Sequence, residues 1–106
     1  MVKTMLEKDI QMLICDYLFV RGYFFWRNNT TGLFDPRTQG FRNKPKYAIN
    51  GVPDIILVKD GIFIGLEVKR PKAKQSDAQA TFQKNLEAVG GQYHLVYSLS
   101  DVSKLF

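Results

Sequence analysis

Apolar residues recur along this chain with two different periods, and the switches between them divide it into elements. From Thr4 to Arg21, Leu6, Ile10, Leu13, Ile14, Tyr17 and Leu18 recur at helical spacing. Thr4-Met-Leu-Glu7 fits a capping box at the start of that helix, and Gly22 suits its end. Tyr23-Phe-Phe-Trp-Arg-Asn28 is aromatic-rich and reads as a first strand. Asn29 to Asn50 is punctuated by Gly32, Pro36, Gly40 and Pro45, and reads as a long connection holding either a short hairpin or an ordered loop. Asp54–Lys59 and Ile62–Lys69 are two strands joined by Asp60-Gly61, a strong hairpin signal because a type I′ turn needs positive φ at both central residues. Ser76-Asp-Ala-Gln79 opens a second helix as a capping box, with Phe82, Leu86 and Val89 on its inner face and Gly90-Gly91 at its end. Gln92–Ser98 is a fourth strand and Ser100–Phe106 a terminal helical stub. The predicted order is αβββαβ(α), an α/β domain.

The hairpin brings two acids together. A two-residue turn pairs strand positions whose numbers sum to 121, so Asp54 opposes Glu67 on one face, with Cβ atoms about 4.5–5.5 Å apart. Lys69 follows on the same face, while Ile62, Ile64, Leu66 and Val68 form the opposite face and can pack on a helix. Like charges facing each other across a ladder destabilise a sheet unless neutralised, and a divalent cation does this well. Hard oxygen donors without a His/Cys cluster favour Mg²⁺ or Mn²⁺ over Zn²⁺, and a main-chain oxygen near Glu67 is a possible further ligand. Lys69 is open to three readings: a solvated strand-end lysine, a counter-charge, or a group that activates a water beside the metal. Glu7 lies about 20° from Ile14 around the first helix, inside the apolar stripe. It serves either the capping box or the same metal as a third carboxylate.

Composition sharpens this picture. At 106 residues with 45% hydrophobic and 13% aromatic content, the chain suits one domain, residues 1–106, with a core of its own, and excludes disordered, coiled-coil and collagen-like classes. Fifteen Lys+Arg against ten Asp+Glu leave a charge of +5, which favours a polyanionic partner. Glutamates number only three: Glu7, Glu67 and Glu87, the last reading as a solvated surface charge. The lone Cys15, in an apolar helical pattern, reads as a small buried hydrophobe in a reducing setting. No signal peptide or membrane span is evident, so a soluble, non-secreted, cytoplasmic protein is expected.

Gly51-Val-Pro-Asp54 followed by Glu67-Val-Lys69 resembles the PD-(D/E)xK nuclease signature. With Glu7 on the first helix and Ser76-Asp-Ala-Gln79 opening the second, the chain is similar to the virus-type replication-repair nuclease (VRR-NUC) domain from Glu7 to about Tyr97. The resemblance implies a restriction-endonuclease-like αβββαβ core, a mixed sheet flanked by helices. It implies Mg²⁺- or Mn²⁺-dependent hydrolysis of DNA phosphodiesters with no organic cofactor. Asp54, Glu67 and the Val68 carbonyl would hold metal, with Glu7 as the helix-borne acid. Lys69 would be the catalytic lysine, and Gln79 matches the glutamine of the second helix, where a capping role competes. Stand-alone members of this kind imply a homodimer acting on branched DNA such as Holliday junctions.

The basic residues fit a DNA path on their own account. Arg37, Arg42, Lys44 and Lys46 lie in a stretch without acids between Pro36 and Pro53. Lys69, Arg70, Lys72 and Lys74 lead toward the second helix, and Arg27 and Asn28 end the first strand. Nothing resembles a base-reading element. His94, away from the motifs, reads as structural. Two other functions stay open: flap, nick or restriction-type cleavage within the same superfamily, and a non-catalytic DNA-binding module.

Overall fold

The two periods resolve into a four-stranded mixed sheet with helices on both faces. The computed structural model describes residues 5–28 and 46–106, together with the backbone of two short strands at 34–35 and 40–41. The elements run α1 (Glu7–Val20), β1 (Phe24–Arg27), β2 (Phe34–Asp35), β3 (Gly40–Phe41), β4 (Ile55–Lys59), β5 (Ile62–Val68), α2 (Asp77–Ala88), β6 (Gln92–Val96) and α3 (Leu99–Leu105). The main sheet has the order β1-β4-β5-β6. Its first two pairings are antiparallel, and β5–β6 is parallel across the α2 connection. Strands β2 and β3 pair antiparallel as a separate two-stranded ribbon, so the long connection does contain a short hairpin.

The β4–β5 turn forms as its residues require. Asp60 (φ 53°) and Gly61 (φ 76°) both occupy the left-handed region, whose twist matches that of the flanking strands. Lys59 therefore pairs with Ile62 and Ile55 with Leu66, which is the register of positions summing to 121.

Alternation along the strands sorts the sheet into two unlike faces. Ile55 and Leu57 of β4 join Ile64, Leu66 and Val68 of β5, Val96 of β6 and Val102 of α3 against Ile10, Ile14, Cys15 and Leu18 of α1. This is the core, and Cys15 is buried in it as expected. The inward side of α1 is narrower than the full periodic set, because Leu6 and Leu13 are largely exposed. Its start also differs. Leu6 is the N-cap, in extended conformation and without a side-chain cap bond, so Glu7 is the first helical residue. A capping-box acid sits at the third helical position, so Glu7 cannot fill that role here; Thr4 lies outside the described residues.

Helix α2 packs on the other face, mainly over β6, where the Phe82 and Tyr93 rings meet at 6.3 Å. Its capping box forms in full: Gln79 N–H donates to Ser76 Oγ at 3.1 Å, and Ser76 N–H donates to Gln79 Oε1 at 2.9 Å. Val89, expected on the inner face, is 82% exposed. It is the C-cap residue with non-helical φ and ψ, so the helix ends one residue before the inward stripe could be extended to it. No α2 residue is fully buried. Among the described residues no helix is long and apolar enough to cross a membrane.

Gly51 locks α2 to the start of β4. It has φ 79°, and a Cβ there would lie 2.3 Å from the Ala78 carbonyl oxygen and 2.7 Å from the Gln79 nitrogen. Backbone on backbone cannot yield cheaply. Gly51→Ala is expected to cost roughly 1–3 kcal/mol of stability, measured by urea denaturation, with an unchanged midpoint refuting the close approach.

Candidate active site

Three strands and two helix starts converge at the C-terminal end of β5. Asp54 immediately precedes β4, and Asn28 N–H donates to its carbonyl at 2.8 Å, so the β1–β4 pairing continues one step beyond the strand. The observed register then sets Asp54 across from Glu67. Val68 N–H donates to Asp54 Oδ2 at 2.9 Å, which points the carboxylate back along β5. The Val68 side chain lies in the core, while its main chain lies beside the two acids. Pro53, fully buried, sits over Gly65, where a Cβ would come within 2.5 Å of Pro53 Cγ. Both sequence-predicted acids therefore stand on a rigid, closely packed strand pair.

Glu67 is only 4% exposed and is the buried charged residue among those described. Burial pushes its carboxyl up to about 9, aided by a hydrogen bond to Asp54 and by the Asp54 charge. The Lys69 ammonium acts the other way, and the Glu7 carboxylate adds to the rise. A carboxyl raised this far by burial and by an acid beside it keeps its proton at neutral pH. The same set of influences locates Glu7 and Lys69 within electrostatic reach of the pair. Glu7 comes from the opposite layer, at the exposed tip of α1, and is half-buried.

Among the described residues no group of three or more His, Cys, Asp or Glu side chains is gathered closely enough to hold a metal ion. Glu7 acts on Glu67 by its charge. The Asp54–Glu67 pair fits a hard divalent cation chemically, because two carboxylates facing each other, one of them buried, offer hard oxygen donors. Asp54, Glu67 and the Val68 main chain are the groups that would hold Mg²⁺ or Mn²⁺.

The remaining expected site residues divide by what they touch. Gln79 sits at the start of α2 beside Gly51, and its side-chain oxygen is committed to the capping box. Asn28 is likewise committed: its Oδ1 accepts from Trp26 Nε1 at 3.1 Å and its Nδ2 donates to the Pro53 carbonyl at 2.9 Å. It braces the turn that carries Asp54. Arg27 is exposed and donates from Nε to Gln11 Oε1 on α1 at 3.1 Å. Arg70, Lys72 and Lys74 are all exposed. Arg70, Pro71, Lys72 and Ala73 line an open cleft of about 480 Å³ directly after Lys69. Lys46 is exposed with its ammonium 5.1 Å from the Tyr47 ring centre. Arg37, Arg42 and Lys44 lie outside the described residues. His94 faces α3, packs edge-on against Phe106, and is kept low in pKa mainly by burial.

Tyr93 was not singled out by its sequence context, yet it belongs to this face. It pairs with Gly65, two residues from Glu67 along the sheet, and is buried with its hydroxyl unpartnered. Burial, together with the charges of Glu67 and Asp54, pushes its phenol up to about 12 although Gln75 opposes the rise. One aromatic in an ordinary strand pattern carries no signal of such a neighbour. Comparison of the chain with family models, with curated proteins and with solved structures returns no match.

The raised Glu67 carboxyl has measurable consequences. Between about 4.5 and about 9 the folded protein without metal holds a proton on Glu67 that the unfolded chain releases. Stability contributed by this group is complete below the lower value and is lost as pH rises through the upper one. Glu67→Gln, which cannot ionise, is expected to flatten that part of the stability–pH curve; a wild-type curve with no decline toward pH 9 would exclude the raised carboxyl. A bound divalent ion must also displace the proton. Mn²⁺ affinity is therefore expected to rise by up to about tenfold per pH unit between pH 6 and 8, with about one proton released per ion by calorimetry.

Proposed function

We propose that this chain is a Mg²⁺- or Mn²⁺-dependent DNA endonuclease of the VRR-NUC kind within the PD-(D/E)xK superfamily. The reading is carried by one observation: Asp54 faces the buried Glu67 across the β4–β5 ladder, with Lys69 on the next pleat. Structural ion pairs do not need such an arrangement, because a sheet gains nothing from two facing acids. Strongly perturbed carboxyl groups of this sort are typical of working sites. The order of α1, the three strands β1, β4 and β5, α2 and β6 supports a restriction-endonuclease-like core.

In this reading a phosphodiester lies against Asp54 and Glu67, with its strand running toward the Arg70–Lys72 cleft. A bound Mg²⁺ or Mn²⁺ supplies charge neutralisation and an acidified water. Lys69 stabilises the negative charge that develops on the phosphoryl oxygens and holds the attacking water in line. The α2 N-terminus, braced by Ser76 and Gln79, turns its dipole toward the incoming phosphates. Glu7 raises the negative field at the site and so its demand for a cation. The basic surface supplies sequence-independent affinity, which fits selection of DNA by shape. The preferred substrate is branched DNA such as a Holliday junction, cut by a homodimer that presents two sites about a two-fold axis.

Asp54→Ala, Glu67→Ala and Lys69→Ala are each expected to lower cleavage of a four-way junction by at least about 10³-fold, while leaving binding in EDTA within about threefold. Radiolabelled junction, flap, nicked and plain duplex substrates with Mg²⁺ or Mn²⁺, alongside a measured solution mass, test this. No cleavage with either ion would remove the nuclease assignment; full activity in EDTA would remove the metal dependence, and full activity in all three variants would remove this site. Equal rates on duplex and junction would remove structure selectivity, and a monomer that resolves junctions would remove the dimer.

A further inference from the structure

The face of the sheet that carries Asp54 and Glu67 does not end with them. Cross-strand pairing lays its residues out in rows. Asp54 and Glu67 form one row; Trp26, Ile56, Gly65 and Tyr93 form the next; Phe24, Val58 and Phe63 form the third. Helix α2 covers the β6 side of these rows, and among the described residues no helix covers the β1 side. There Phe24 is 68% exposed, Trp26 40% and Phe63 37%. The three rings are contiguous, with centroids 5.7 Å apart for Phe24–Trp26 and 6.3 Å for Trp26–Phe63. The indole is also fixed in place, since its N–H donates to Asn28, which in turn donates to Pro53.

We infer that Phe24, Trp26 and Phe63 form a stacking platform for unpaired nucleotides of the DNA strand held at the carboxylate pair. The inference rests on the nuclease reading for the strand's position, and its test is separable from it. Three considerations select this occupant. One row of a sheet is about 7 Å along the strands, so Trp26 stands one nucleotide's reach from the acids. Charge is divided suitably: Lys69, Arg70 and Lys72 lie past the acids at one end, where phosphates are favoured, and the rings lie at the other. A basic track joined to exposed aromatic rings is what binds single strands without reading sequence. Finally, the exposed part of the three rings amounts to on the order of 300 Å². A stable dimer interface buries roughly 800 Å² per partner; two or three bases need far less. A continuous duplex keeps its bases stacked on each other and offers these rings nothing, so the platform favours forks, flaps and opened junctions over plain duplex.

Trp26 is the sole tryptophan, so its emission reports on the platform directly. Titration in EDTA, where no cut can occur, with a ten-nucleotide oligothymidine and with a blunt duplex of equal length separates the outcomes. The single strand is expected to quench at least half of the emission saturably, and the duplex less than one-fifth as much at the same salt. Phe24→Ala and Phe63→Ala, which retain the reporter, are expected to weaken single-strand binding on the order of 5- to 100-fold without changing its salt dependence. Equal quenching by duplex, or none by single strands, overturns the platform. So does a blue shift of emission that grows with protein concentration alongside a doubled mass, since a second copy would then cover the rings; a dimer formed elsewhere leaves the emission constant. Quenching without cleavage in Mn²⁺ would uphold the platform and refute the nuclease, and cleavage without quenching would do the reverse.

Discussion

Two carboxyl groups facing each other across a tight hairpin set the terms for the rest of this molecule. Left in water, Asp54 and Glu67 would repel weakly and move apart. Here the ladder denies them that freedom, and Pro53 over Gly65 with Tyr93 alongside denies Glu67 its water. The result is a Glu67 carboxyl pushed well above the usual carboxylate range. Much of the surrounding detail serves to keep it so: Asn28 braces the Pro53 carbonyl, the Val68 amide aligns Asp54, and Gly51 brings the start of α2 against the same turn.

The sheet separates stability from chemistry by its two faces. One face is closed by α1 and α3 and supplies nearly all of the buried apolar side chains. The other is closed only over β6 and β5, by a helix none of whose residues is fully buried. Glu7 acts on Glu67 from the α1 layer, as the first residue of that helix. The exposed rings of β1 follow from the same division, since an edge strand with apolar residues on both sides has one side left without a helix.

Polar side chains close to the site turned out to be engaged in building it. Asn28, expected to meet the DNA backbone, uses both ends of its amide internally, and Gln79 uses its oxygen in the α2 cap. Bonds of this kind pre-organise charged groups whose own positions are weakly determined, and the tightness of their support decides how much reorganisation remains at the moment of reaction.

What the sequence by itself determined was local. Asp60-Gly61 dictates a two-residue turn, the turn dictates the register, and the register dictates which acid meets which. Ser76-to-Gln79 spacing likewise dictates its own helix start, and glycine placement the helix ends. Where the periodic pattern strayed, at Leu6, Leu13 and Val89, the side chain's fate hinged on how far a helix ran and what lay opposite, neither of which is encoded nearby. Only the tertiary structure decided that Glu67 is buried, that Tyr93 with its unpartnered hydroxyl stands beside it, that Glu7 approaches from another layer, and that half of one face stays uncovered. Turns and caps are short-range and follow from adjacent residues. Desolvation, and the proton it retains, depends on every element packed around a group, and so emerges only when the chain has closed on itself.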